Sequence, residues 1–179
     1  MAIIHGDVLI KFSEKSGTAG DQNGGTPGGS LGKYISTTLI TDASLHNLFD
    51  IISGDENAES DVEYRCIFVH NSHATLTLEN VVVWLSAETG GGANAAIAVD
   101  DVAASPIGQS SAQADEVADE DTAPSGESFS SPTTKGSALS LGNISAGECR
   151  AFWIRRTAAN TGAVDNDDVT IQVDGDTAA

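Results

Sequence analysis

Apolar residues in this chain recur at every second position in short runs, and the three-and-four spacing of a helix is met only once. That alternation marks half-buried strands, whose successive side chains point to opposite faces. In Asp7-Val8-Leu9-Ile10-Lys11-Phe12-Ser13 it sets Val8, Ile10 and Phe12 on one face. In Val62-Glu63-Tyr64-Arg65-Cys66-Ile67-Phe68-Val69-His70, the strongest run, Tyr64, Cys66 and Phe68 share one face and Arg65, Ile67 and Val69 the other. Thr75 to Ser86 follows across Asn71-Ser72-His73-Ala74, so 62–86 is predicted as a hairpin. Its apolar positions shift from even (76, 78) to odd (81, 83, 85) near Glu79-Asn80, as a bulge would require. Further strands are expected over Tyr34 to Thr41, Ala95 to Val99, around Phe129, over Cys149 to Thr157 and over Val169 to Val173, the last with Val169, Ile171 and Val173 inward. Leu45, Leu48, Phe49 and Ile52 carry the one helical spacing, behind Asp42 or Ser44 as N-cap, and predict a short helix or turn. Ser53 to Asp61 reads as a polar acidic loop.

Seven to nine short strands with no βαβ alternation and no long repeat predict an all-β fold. The expected architecture is a single antiparallel β-sandwich, jelly-roll or immunoglobulin-like, with long polar loops and one short helix. At 179 residues one core is the default, so 1–179 is read as one domain. Two stretches stand out as loops. Residues 17–32 hold seven glycines and a proline, with almost nothing to bury. Asp100 to Glu127 holds eight acids and no Lys or Arg, and is expected to be a long solvated loop.

Charge narrows the function classes. Eight Lys and Arg against 26 Asp and Glu leave a formal charge of −18. No basic stripe is available to displace counterions from a phosphate backbone, so nucleic acid is not an expected partner. No run of apolar residues is long enough for a transmembrane helix, and the first residues lack the basic start of a secretory signal. Synthesis in a cytoplasm is therefore expected, where Cys66 and Cys149 remain buried thiols rather than a bridge.

The search for chemistry finds little. Gly28-Gly29-Ser30-Leu31-Gly32-Lys33-Tyr34 fails as a phosphate loop, because Pro27 and Tyr34 stand where Gly and Ser or Thr are needed. His70 and His73 flank the expected turn without further ligands nearby, and are read as exposed, as are His5 and His46. No serine sits in a nucleophile elbow. Carboxylates at Asp115-Glu116 and Asp119-Glu120-Asp121 offer hard oxygen ligands, but the calcium-loop pattern is absent. Neither an enzyme, a cofactor nor a metal is expected, and Trp84 and Trp153 are assigned to the core. The candidate interface residues are Tyr34 and Phe129, apolar anchors at the ends of the two long loops, and the cationic pair Arg155 and Arg156. Adjacent strand positions send that pair to opposite faces, where internal carboxylates such as Asp165, Asp167 or Asp168, or a neighbouring subunit, would meet them.

The strings Leu48-Phe49-Asp50, Asp61-Val62-Glu63-Tyr64-Arg65-Cys66-Ile67-Phe68-Val69-His70-Asn71, Val83-Trp84 and Phe152-Trp153-Ile154-Arg155-Arg156-Thr157 resemble a group of tailed-bacteriophage virion structural proteins. The resemblance runs from about residue 45 to the end and carries no catalytic residue. It implies a particle component. Acidity then favours the capsid exterior over the DNA side, and a head decoration or cement protein is the leading expectation. Its partners would be the major capsid protein and neighbouring copies of itself, in a homo-oligomer such as a trimer. The alternatives are a tail or fibre-associated component that binds a host surface, and a calcium- or carbohydrate-binding module.

Overall fold

The computed structural model describes residues 2–17 and 25–177, so residues 18–24 of the glycine-rich stretch lie outside the described part. Two antiparallel sheets pack face to face as a β-sandwich. The larger contains β1 (Val8–Glu14), β2 (Tyr34–Leu39), β3 (Val62–Asn71), β5 (Asn94–Val99) and β8 (Glu148–Thr157) in the order β2-β1-β3-β8-β5. The two-residue β6 (Ser105–Pro106) also pairs with β8. The smaller sheet has the order β7-β4-β9, from β7 (Leu139–Ile144), β4 (Leu78–Glu88) and β9 (Val169–Thr177).

The residues explain the pairing. β3 and β8 have the longest runs of buried residues, and they lie side by side at the centre, from Val62 opposite Thr157 to His70 opposite Cys149. Phe12, Ile67, Val69, Phe152 and Ile154 of the large sheet meet Leu78, Val81, Val83, Leu85, Leu141 and Ile144 of the small one. Val169, Ile171 and Val173 turn half-buried side chains to the same core, as their alternation predicts. The expected bulge in β4 is present. Pairing slips between Leu78 and Val81, Asn80 takes a left-handed φ of 52°, and the apolar set returns to the core face.

Where a strand is expected around Phe129, Ser130 makes only an isolated bridge to Ile97, and the chain departs further from the sequence reading in four places. Residues 62–86 do not form a hairpin, because β3 and β4 belong to different sheets. The connection is a corner organised by Asn71, whose buried Nδ2 donates to the carbonyls of Leu76 (2.8 Å) and Ile144 (2.9 Å). His73 caps the same corner, its Nδ1 accepting the amides of Thr75 and Leu76. His70 is buried rather than exposed. The helix lies at α1 (Gly54–Glu59), not over 44–52. Ser53 and Glu56 close a capping box there, and acids fill the first turn, whereas Ala43 and His46 with positive φ break 43–50 into turns.

The fourth departure matters most. The acidic 100–127 stretch is not a solvated loop but a roof over the outer face of the large sheet. Ala114 and Val117 bury against Ile35, Cys66, Phe68, Cys149, Ala151 and Trp153 in a second core, with Leu31, Ile107 and Phe129 at its edge. Two of its buried polar side chains, Gln113 and Asp100, are satisfied inside. The buried Gln113 accepts the Ile35 amide and donates to the Pro106 carbonyl, and Asp100 accepts the Trp153 indole N–H at 2.8 Å. The described end of the glycine-rich stretch is bound down too. Ser30 donates to the Cys66 carbonyl and accepts the Ser13 amide, and the Cys66 amide donates to the Ser30 carbonyl.

Cys66 and Cys149 are free and buried, and burial pushes the Cys149 thiol up to about 12 and the Cys66 thiol upward as well. His70 behaves conversely. Burial, helped by the Lys11 charge, lowers its pKa from 6.5 to about 4, and its Nδ1 has no partner.

Two stability measurements follow from these positions. Gly32 has φ +94°, and a Cβ there would stand 1.8 Å from the Asp115 carbonyl oxygen where the two long loops cross. Gly32→Ala is expected to lower unfolding stability by about 3 kcal/mol in a denaturant titration, and Gly28→Ala, which meets nothing within 4 Å, to stay within ~0.5 kcal/mol. Below pH 6.5 the unfolded chain takes up a proton at His70 that the folded chain refuses until about pH 4, so this residue removes stability as pH falls through that window. Between pH 7 and 5 the wild type should lose up to about 2 kcal/mol more than His70→Gln.

Candidate functional site

An open groove of about 1780 Å³ runs between the 39–54 segment and β9 with the 159–168 connection that precedes it. Its position follows from the fold. The 39–54 segment leaves β2, hydrogen-bonds Ile40 to the Ile10 carbonyl of β1, and drops Leu48 into the inter-sheet core. The remaining apolar side chains of that segment have nowhere to go. Leu45 is 79% exposed, Ile51 70% and Leu39 49%, and Ile4 at 64% and Val164 at 36% complete the exposed large apolar residues among those described. All five line this one groove. The space is too large and open to grip a small molecule, whose sites are enclosed clefts of roughly 300–1,000 Å³. An apolar patch concentrated on one side of the molecule has the character of a protein-binding surface.

Charge surrounds it. Exposed Asp42, Asp50, Asp165, Asp167 and Asp168 line the groove, and Arg156 is its only Lys or Arg. Arg156 is not free to meet a partner. Its guanidinium bonds the Glu63 carboxylate, with Nε to Oε2 at 2.6 Å, reaches Asp50 at 3.2 Å, and lies 4.8 Å from the Phe49 ring centre. None of the carboxylates expected for it, Asp165, Asp167 and Asp168, pairs with it: Asp167 accepts the Ala93 amide at 2.7 Å and Asp168 bonds the Thr89 hydroxyl. Arg65 stands behind Arg156 with its side chain buried. It donates to the Leu48 carbonyl (3.2 Å) and the Tyr64 carbonyl (3.0 Å), pairs with Glu120, and lies 5.1 Å from the Phe49 ring centre. Burial raises the Glu63 pKa, while Arg156 and Arg65 pull it down. Two arginines, an aromatic ring and three acids therefore lock the 48–50 turn to β3 and β8, which holds the groove wall in place.

The other sequence candidates do not converge on the groove. Arg155 projects opposite to Arg156, as strand alternation requires, and its guanidinium lies 5.3 Å from the Phe129 ring centre. Phe129 in turn meets Tyr64 edge-on at 5.5 Å, so these three form a half-buried stack on the roofed side. Tyr34, at the start of β2, donates its hydroxyl to the Ser110 carbonyl at 3.3 Å. The acids considered as metal ligands scatter as well. Glu116 pairs with Lys33 at 2.9 Å and Lys15 at 4.0 Å, Glu120 with Arg65, and Asp119 accepts the Thr122 hydroxyl. Sequence reasoning missed Leu45 because it placed it with Leu48, Phe49 and Ile52 on a helix face, and it gave Ile51 no role; with positive-φ turns at Ala43 and His46 in place of that helix, Leu48 is buried and Leu45 and Ile51 stay outside.

No protein-family model, curated protein or solved structure matches the chain.

The arginine network can be tested directly. Arg65→Met removes a buried cation from between Glu63 and Glu120, leaving Glu63 to Arg156 alone. A loss of about 3 kcal/mol is expected in equilibrium unfolding.

Proposed function

We propose that this protein is a structural component of a bacteriophage virion, a decoration protein that binds the outer surface of the capsid and stabilises the shell without catalysing a reaction. The observation that carries this reading is the groove: five exposed apolar side chains gathered on one side of an otherwise closed sandwich and flanked by acids. Such a face suits a protein partner that offers apolar anchors bordered by Lys or Arg. At a charge of −18 a second copy in the groove would bring acid against acid, whereas the major capsid protein need not. The same charge disfavours the DNA side of the shell. The resemblance of the β3 and β8 strings to tailed-phage virion proteins agrees in kind, and the inert, buried thiols suit a molecule whose work is adhesion.

The test uses purified protein and undecorated expanded capsids. The wild type should co-sediment with them at micromolar concentration, more weakly as salt rises, and the double variant Leu45→Asp, Ile51→Asp should bind about 30-fold less tightly. Both positions are exposed, so thermal stability of the variant should change little. Failure of the wild type to bind, or undiminished binding by the variant, overturns the reading, as does a tail location in micrographs of labelled virions.

A further inference from the structure

The 100–127 roof begins and ends at one place, and carboxylates meet there. One ligand oxygen each from Asp100, Asp101 and Glu127 lie within 4.8 Å of one another. A cation about 2.4 Å from each oxygen tolerates ligand separations up to that value. Proximity of acids alone says nothing about a ligand, but the Glu127 carboxylate adds a second observation. Each of its two oxygens exposes less than 1 Å² to solvent, and neither has a hydrogen-bonding partner. Glu127 as a residue is half-buried, but carboxylate oxygens that are shielded from water and lack donors are an unfavourable arrangement.

Asp100 by contrast is fixed. It is fully buried; its Oδ2 accepts the Asp115 amide (2.9 Å) and the Trp153 indole (2.8 Å), and its Oδ1 accepts only the Val102 amide (2.9 Å), which leaves Oδ1 a lone pair. The nearest cation is Arg150, which donates to the Asp100 carbonyl at 2.7 Å. It makes no ion pair with any of these carboxylates among the described residues, and one positive charge faces four negative ones.

We propose that Asp100, Asp101 and Glu127 bind one calcium ion, which pins the two ends of the 100–127 roof together over the second core. Asp100 supplies a rigid ligand, Glu127 a buried one with both oxygens available, and Asp101 an exposed one on the side where water completes the shell. Calcium suits this set better than magnesium, because it accepts six to eight oxygens in irregular geometry whereas magnesium demands a tight octahedron. The site lies on the roofed face and is independent of the capsid reading.

The test is calcium titration of the chelator-stripped, full-length protein at pH 7, read by calorimetry and by thermal unfolding. One equivalent should bind, and Tm should rise by about 5–10 °C at roughly 100-fold excess over Kd. Terbium in place of calcium should emit on excitation of Trp153, whose indole touches the Asp100 carboxylate. Asp101→Asn should weaken calcium binding at least tenfold and leave the metal-free Tm unchanged. Glu127→Gln should abolish the calcium response and raise the metal-free Tm, since it removes an uncompensated buried charge. Absence of heat and of any Tm shift at about 10 mM calcium overturns the proposal, that being well above the weakest protein calcium sites. A calcium response undiminished in both variants overturns it as well. If Glu127→Gln stabilises the protein but calcium has no effect on the wild type, a proton rather than a metal neutralises Glu127, and the proposal fails.

Discussion

The pairing of β3 with β8 is the constraint on which the other elements depend, because both strands bury side chains on both faces. Ile67, Val69, Phe152 and Ile154 point into the space between the sheets, while Cys66, Phe68, Ala151 and Trp153 point away from it. A ladder with two apolar faces needs two covers. The β7-β4-β9 sheet supplies one. No third sheet exists among the described residues, so irregular chain supplies the other, and the 100–127 stretch with the end of the glycine-rich segment becomes structural. Where β1 stops pairing with β3, loop backbone carries the hydrogen bonding on: the Cys66 amide donates to Ser30 and the Tyr64 amide to Glu120. The polar loops thus substitute for a strand at its edge as well as for a sheet above it.

Acidity and the scarcity of cations shape the rest. Among the eight Lys and Arg, Arg65 and Arg156 hold the 48–50 turn against the sheet, Lys15 and Lys33 hold Glu116, and Lys135 holds Asp174. Arg155 lies on Phe129, and Arg150 reaches the Asp100 carbonyl. Seven of the eight cations, all but Lys11, are therefore committed to internal fastening, and the exposed surface around the groove is left acidic. That division bears on both proposals, since an acid-lined apolar groove selects a basic partner and an under-neutralised carboxylate cluster selects a cation.

Much of the fold was legible because its signals are local. Alternation located β1 and β9, short apolar runs located β5 and β8, and the change of parity near Asn80 located the bulge in β4. Even the misplaced helix had a readable mark, the Ser53-x-x-Glu56 capping box, which outweighs the apolar spacing of 45–52. The hairpin error had no such remedy: two strong strands joined by a polar turn look alike whether the turn closes a hairpin or a corner between sheets, and the difference rests on Asn71 reaching Leu76 and Ile144. The unbroken apolar runs 66–69 and 151–154 did announce two-sided burial, but nothing in a stretch of eight acids announced itself as the second cover.

By itself, then, the amino-acid sequence determined a β-sandwich of short alternating strands, a strongly acidic exterior and the lack of a recognisable catalytic constellation, because strand periodicity and net charge are properties of neighbours and of sums. Tertiary structure alone decided which strands share a sheet, that the long polar stretches lie packed rather than free, which apolar residues stay outside, and that Asp100, Asp101 and Glu127 converge. The physical reason is that each of these depends on contacts between residues far apart in the chain. Whether an acid is solvated or buried, or a leucine is core or surface, is settled by what the folded chain lays across it.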